Sequence, residues 1–164
     1  MSCRNSYFLL LLALFIISQA HTMLASDTEA GLGYIQFTCK NTSEYDLCVS
    51  TLQSDPTSMT ADLKGLLTNV LRATTAYGAD VATKVTELSK TDQDPFLMQC
   101  YTDCSERYID AVDQIDDSVA ALDSKGFDDV VAWVNAAIAD VQTCEAGFLQ
   151  KPGYTSAIKD QNYI

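Results

Sequence analysis

The sequence has little of what catalysis and nucleic-acid binding require. It contains one histidine, His21, and no glycine-rich phosphate-binding loop. Because His21 lies at or beside the predicted cleavage point of a signal peptide, Ser-His-Asp and Cys-His catalysis and histidine metal sites are excluded. Ten basic residues stand against 22 acidic ones, which gives a net charge of −12. Because nucleic acids and anionic membranes bind basic surfaces, this balance argues against both and favours a basic protein as partner.

Long apolar runs are also scarce, and the only one lies at the start of the chain. Residues 7–18, YFLLLLALFIIS, follow Arg4 and contain one polar residue, Ser18. This run is too short for a membrane anchor, the competing interpretation, which needs about 20 apolar residues, and its length is typical of a secretory signal. We predict a signal peptide over residues 1–20, cleaved after Ala20 or alternatively after Ala25. The mature domain is then residues 21–164, and the protein is secreted.

Cysteine usage supports an oxidising compartment. Removal of the signal removes Cys3 and leaves an odd number, so one thiol stays free or shared. The five that remain are Cys39, Cys48, Cys100, Cys104 and Cys144. The segment between the first two carries the glycosylation sequon Asn41-Thr42-Ser43.

Periodic apolar residues predict helices, and no strand-like alternation is present. Apolar steps of three and four residues mark long helices over about 61–88, 95–122 and 127–148, after a short helical hairpin over residues 34–55. The turn SDPTSMT precedes the first long helix, with Thr60 as its predicted N-cap, and Asp94-Pro95 opens the second. These signals predict an all-α, up-and-down bundle over residues 60–148 with short loops.

The turn SKGF, residues 124–127, allows a geometric test of the cysteine pairing, with Gly126 expected to take a positive φ. In an antiparallel hairpin, residues equally far from the turn lie at the same level. Cys104 and Cys144 have their midpoint at residue 124 and both lie on apolar stripes, so we predict a disulfide between them. Cys100 would be displaced by about 6 Å and is the poorer, though not impossible, partner.

The remaining pairing is Cys39–Cys48, and each disulfide is worth roughly 2–4 kcal/mol. Cys100 is then the free thiol. Its two interpretations are a half-buried thiol that packs as a small hydrophobic residue, and a redox-labile thiol that exchanges into the neighbouring disulfide. A metal site is disfavoured, because Cys-x₃-Cys is not a zinc-ribbon spacing and no histidine completes it.

A stripe of carboxylates follows the second long helix on the side away from its apolar face. Three interpretations stay open: a solvated helix face, a docking face for a basic protein, and general acid–base catalysis. Catalysis is the least favoured, since nothing in the sequence predicts a pocket that would shift a carboxyl pKa. The stripe comprises Asp103, Glu106, Asp110, Asp113 and Asp117.

Four segments together resemble the plant invertase and pectin methylesterase inhibitor family. They are FTCKNTSEYDLCVSTLQSDPTS at 37–58, TADLKGL at 60–66, DCSERYIDAVDQI at 103–115 and TCEAGF at 143–148. The resemblance implies a four-helix bundle preceded by a helical hairpin, and it implies the same two disulfides. It also implies a non-catalytic apoplastic protein without cofactors that binds one cell-wall enzyme, either pectin methylesterase or acid invertase.

The resemblance favours pectin methylesterase as the target. Invertase inhibitors of the family insert a segment containing Pro-Lys-Phe, whereas residues 128–140 here read DDVVAWVNAAIAD, similar to the tryptophan-bearing version of pectin methylesterase inhibitors. Family members continue into a final apolar helix, and this chain ends at Ile164 near its expected start. A missing or truncated final helix leaves a non-inhibitory, allergen-like secreted protein as a further alternative.

Overall fold

The computed structural model describes residues 31–161, and these residues are helical with no β-strand among them. The predicted all-α class is confirmed. The predicted signal peptide at residues 1–20, its cleavage site and His21 lie outside the described residues. Residues 162–164 also lie outside the described residues. The prediction that the final helix is missing or truncated concerns this end of the chain and stays a prediction.

Five α-helices and two 3₁₀-helices make up the described chain. Helix α1 covers residues 31–39, and the others are α2 (Tyr45–Ser54), α3 (Leu63–Thr91), α4 (Pro95–Asp123) and α5 (Phe127–Leu149). The 3₁₀-helices are Pro56–Thr60 and Lys159–Gln161. The chain divides into two compact units, Met1–Leu66 and Leu67–Ile164, and the division falls within α3.

The first unit contains the helical pair predicted over residues 34–55. A tight turn joins α1 to α2, and the disulfide Cys39–Cys48 brings the two Cα atoms to 5.8 Å. Ile35 and Cys39 are fully buried and Leu52 is 3% exposed, so this pair buries apolar side chains of its own.

The start of α3 differs from the prediction that Thr60 is its N-cap. Asp55 accepts a hydrogen bond from the backbone N–H of Thr57 at 2.8 Å and opens the 3₁₀-helix, which ends at Thr60. The chain then leaves helical conformation, and Asp62 Oδ1 accepts from the N–H of Gly65 at 2.8 Å. Asp62 therefore caps α3, because it follows the 3₁₀-helix and its carboxylate reaches an N–H of the first turn.

In the second unit, residues 67–91 of α3 pack with α4 and α5. Asp94 caps α4 as predicted, with Oδ1 accepting from the N–H groups of Phe96 and Leu97 at 2.8 and 3.3 Å. Two buried clusters fill this unit. One comprises Val81, Val85, Cys100, Tyr101, Cys104, Tyr108, Cys144, Phe148 and Ile158. The other comprises Leu71, Ala111, Ile115, Leu122 and Ala137.

The turn between α4 and α5 corrects another expectation. Lys125, not Gly126, takes the positive φ, at 62°, while Gly126 has φ −81° and precedes α5. A Cβ at Gly126 would lie 2.9 Å from Asp129 Oδ2. That oxygen is the mobile end of a side chain, so the space beside Gly126 can adjust, and Lys125 carries the left-handed conformation.

Residues after α5 pack onto the bundle, although their sequence predicts only turns. We call residues 150–161 the strap. Ile158 in the strap is fully buried and Ser156 is 5% exposed. Across the described range, none of the helices combines the length and apolarity of a bilayer span.

Candidate functional site: the acidic face of α4

The five carboxylates singled out in the sequence all lie on the exposed side of α4. We call them the acidic face: Asp103, Glu106, Asp110, Asp113 and Asp117. The opposite side of the same helix is buried, as shown by Cys104, Tyr108 and Ile115 at 1%, 3% and 6% exposure. Helical periodicity therefore separates a core side from a charged side over the length of α4.

Few contacts neutralise this face. Asp103 Oδ1 accepts from Gln99 Nε2 at 2.8 Å, which leaves its charge in place. Arg107 Nη1 lies 3.9 Å from Asp110 Oδ2 but 3.1 Å from Asp140 Oδ1, so the arginine is drawn towards α5. From residue 95 to residue 149 the chain has eleven acidic and two basic side chains, a net of −9 out of −12.

The disulfide Cys104–Cys144 joins α4 to α5, with the Cα atoms 4.6 Å apart. Both cysteines are 2% exposed or less, so the disulfide joins the buried sides of the two helices. A covalent bond between two long helices limits how far they can slide or separate. The acidic face is thereby carried on a braced hairpin rather than on a single mobile helix.

A polar contact between α4 and α5 was missed by the sequence analysis. Asp140 on α5 accepts from Arg107 Nη1 at 3.1 Å and from Gln114 Nε2 at 2.9 Å. We call these three residues the Asp140 clamp. The Oε1 atom of Gln114 is buried without a hydrogen-bond partner in the described chain. Distance from the turn gives only the level of this contact, since Asp140 and residue 108 are equally far from residue 124. Which side chains of the two helices face each other at that level is set by packing.

Cys100 is a free thiol, 6% exposed, one helical turn before Cys104. Burial raises its pKa, and the nearby carboxylate of Asp103 raises it further. The thiolate is the nucleophile in disulfide exchange, so both effects suppress its reactivity. The geometry favours the interpretation of a packed, unreactive thiol as long as the surrounding chain stays in place.

The sequon residue Asn41 lies in the exposed turn between α1 and α2. Thr42 turns the chain here, with both its N–H and its Oγ1 donating to the carbonyl of Cys39 at 3.0 and 2.8 Å. An exposed side chain on a tight turn is accessible to a large modifying enzyme. Glycosylation of Asn41 stays a prediction.

The acidic face is better suited to attraction than to chemistry. All five carboxylates are exposed, whereas general acid–base catalysis relies on a carboxyl in a desolvated environment. Between residues 31 and 161, no three His, Cys, Asp or Glu side chains are grouped so as to hold a metal ion. Dense exposed charge of one sign steers a partner of the opposite sign.

Comparison with known proteins identifies the family. Residues 33–163 match the plant invertase/pectin methylesterase inhibitor family. A Platanus acerifolia protein, whose name provisionally describes it as an invertase inhibitor, is 35% identical over 78% of this chain and 75% of its own length. A pectinesterase inhibitor of Actinidia deliciosa is 32% identical over 92% of this chain and 80% of its own.

A solved structure shares the fold. The crystal structure of a pectin methylesterase inhibitor from Arabidopsis thaliana superposes with a TM-score of 0.57 at 19% identity, covering 79% of this chain and 85% of that one. The matched sequence family and the helical fold agree with the resemblance drawn from the four motif segments. The chain belongs to the plant invertase/pectin methylesterase inhibitor family.

Proposed function

We propose that this protein is a secreted inhibitor of pectin methylesterase that occludes the active-site cleft of one enzyme molecule. The acidic face of α4 is the docking surface, and the enzyme contributes a basic rim. The observation that carries the proposal is the concentration of eleven acidic residues against two basic ones on the disulfide-braced α4–α5 hairpin. Complementary charge increases the association rate and selects the partner.

Continuity of α5 supports pectin methylesterase over invertase. Residues 128–140 carry no Pro-Lys-Phe and lie within one uninterrupted helix. Trp133 in this segment is 40% exposed. An exposed tryptophan beside the acidic hairpin offers a large apolar anchor for a partner.

Invertase is the second candidate, and a specific observation favours it. The Platanus acerifolia relative at 35% identity bears a name that points to invertase, while the Actinidia deliciosa relative at 32% points to pectinesterase. The two identities are too close to decide the target. Inhibition of either enzyme is compatible with the same acidic docking face.

Secretion to the cell wall follows from the predicted signal peptide at residues 1–20 together with the two disulfides. Disulfides persist in oxidising compartments and are rare in reducing ones. Cys39–Cys48 and Cys104–Cys144 are formed in the structure. A glycan on the exposed Asn41 fits the same location, because N-glycosylation accompanies passage through the secretory pathway.

Titration of purified protein, residues 21–164, against both enzymes tests the proposal. Pectin methylesterase activity is expected to fall to a plateau at one inhibitor per enzyme, with invertase unaffected. The charge-reversal variant Asp110→Lys/Asp113→Lys/Asp117→Lys should weaken inhibition by about tenfold or more, mainly through slower association.

A control variant reverses two exposed acids on another helix. Asp80→Lys/Glu87→Lys on α3 changes the net charge in the same direction but leaves the acidic face intact, so its inhibition constant should stay close to that of the wild type. Inhibition of invertase alone would transfer the proposal to the second candidate. A folded sample that inhibits neither enzyme would point to the non-inhibitory alternative.

A further inference from the structure

The strap is fastened to the start of α4 by a chain of polar contacts. Tyr154 donates its hydroxyl hydrogen to Asp94 Oδ2 at 2.7 Å, and Lys151 Nζ donates to the Tyr154 hydroxyl at 3.0 Å. Lys151 Nζ lies 4.4 Å from the centre of the Tyr154 ring and 5.2 Å from that of Phe96. The two rings meet edge to face at 4.8 Å. Asp94 is at the same time the N-cap of α4, so the strap is joined to the element that positions Cys100.

Further along, the strap enters the core. The backbone N–H of Ala157 donates to the hydroxyl of Tyr101 at 3.3 Å, and the Tyr101 ring lies 5.1 Å from that of Phe148. Ile158 is fully buried in the cluster that also contains Cys100 and the disulfide. The strap therefore contributes a wall of the compartment in which three sulfur atoms are close together.

Two of these three sulfur atoms form a disulfide, and the third belongs to a free thiol. Cys104 is bonded to Cys144, while Cys100 stays reduced one turn away on the same helix as Cys104. Residues four apart on a helix lie on the same side, so Cys100 and Cys104 both face α5. A thiol in such a position can attack the disulfide once it is deprotonated and free to move.

We propose that the strap guards the Cys104–Cys144 disulfide, and that its release lets Cys100 exchange into this bond. In that step Cys100 loses its proton to solvent and its thiolate attacks Cys144 Sγ. The Cys100–Cys144 bond forms, the Cys104–Cys144 bond breaks, and Cys104 leaves as a thiolate that takes up a proton. The number of disulfides is unchanged, so no oxidant or reductant is consumed.

The strap is suited to this task because the hydrogen bonds that fasten Tyr154 are exposed or half-buried. Segments with limited burial open locally at much lower free energy than the whole domain. While it is closed, burial and nearby carboxylates raise the pKa of the Cys100 thiol and keep it protonated. Opening admits water beside Cys100, which removes the burial contribution and favours the reactive form. The proposal concerns the bundle alone and does not depend on which enzyme is inhibited.

The test uses Tyr154→Phe, which removes one hydroxyl and keeps the aromatic ring against Phe96. In the wild type at mildly alkaline pH, Cys100 should react slowly with an aromatic disulfide reagent. Unreduced peptide maps should show only the two disulfides of the structure, Cys39–Cys48 and Cys104–Cys144. In Tyr154→Phe the labelling rate should rise about tenfold, as expected for loss of a hydrogen bond to a charged group. After incubation without reagent, maps should contain Cys100–Cys144 with Cys104 alkylated.

Two controls separate strap release from general unfolding. Lys159→Ala changes an exposed strap residue outside these contacts and should behave as the wild type. Cys100→Ser combined with Tyr154→Phe should retain Cys104–Cys144 throughout. If the rate of Cys100 labelling is unchanged by low concentrations of denaturant, the thiol is exposed by local opening and not by global unfolding. A folded Tyr154→Phe protein that labels at the wild-type rate, or that exposes Cys100 without any change of pairing, would overturn the proposal.

Discussion

Tyr108 shows at the residue scale how burial alters chemistry in this protein. Its side chain is 3% exposed on the core side of α4, in the cluster with the disulfide. Burial raises the pKa of its hydroxyl to about 12, and the charges of Tyr77 and Glu145 add to the increase. The neutral phenol is therefore the form that the fold accommodates.

This pKa predicts a loss of stability at alkaline pH. An unfolded tyrosine ionises near pH 10, so the folded state binds the proton more tightly than the unfolded state. The stabilisation is fully present below about pH 10 and falls as the pH rises from about 10 towards 12. Phenolate absorbance during titration should show one late step that is absent in Tyr108→Phe and present in Tyr45→Phe, whose ring is 39% exposed. A phenolate titration in which every tyrosine ionises in a single step near pH 10 would contradict the raised pKa of Tyr108.

Residue types alone were enough to name most of the candidate site. Carboxylates at steps of three and four had to share a side of a helix, and the apolar stripe of α4 had to take the other side. Asp140 was not found, because its partners Arg107 and Gln114 are about 30 residues away and only packing of α5 on α4 brings them together. A long-range polar contact has no local periodic signal.

At the element scale, the α4–α5 hairpin depends on a short turn that includes one unfavourable residue. Lys125 has φ 62°, a left-handed conformation that costs a residue with a Cβ about 1–2 kcal/mol relative to glycine. The sequence alone predicts the positive φ at Gly126, because glycine adopts it without strain. In the structure Gly126 has φ −81°, which any residue adopts, and precedes α5.

Replacement of the lysine should stabilise the hairpin. Lys125→Gly relieves the strain but increases the entropy of the unfolded chain, so we expect a net gain of about 0.5–1 kcal/mol in the free energy of unfolding. Lys125→Ala removes the same side chain without relieving the strain and serves as the control, with little change expected. Chemical denaturation of the three proteins measures the difference. An equal effect of glycine and alanine would show that the turn conformation is not strained.

The whole molecule is dominated by negative charge, and most of it lies on one hairpin. A net of −9 between residues 95 and 149 implies self-repulsion within the second unit at neutral pH. Screening lengths fall from about 30 Å at 0.01 M salt to about 8 Å at 0.15 M. Repulsion between charges on neighbouring turns and helices is therefore reduced at moderate salt.

Stability should accordingly rise with ionic strength. At pH 7 the thermal midpoint is expected to increase by a few degrees between roughly 0.01 M and 0.15 M sodium chloride. Near pH 4, close to the sequence pI of about 4.2, the increase should largely disappear because the net charge is small. A midpoint that is independent of salt at pH 7 would mean that local pairs, such as Arg107 with Asp140, already balance the repulsion.

The sequence by itself determined the helical class, the three long helices, the cap at Asp94, the exposed acidic face and the level at which Cys104 meets Cys144. These features depend on periodicity and on distance from a turn, which are properties of neighbouring residues. Only the tertiary structure decided the Asp140 clamp, the left-handed Lys125 and the strap. Each of these depends on contacts or backbone geometry that the folded chain imposes. The strap residues Tyr154 and Ile158 belong to a segment without apolar periodicity, so no local pattern predicts where they pack.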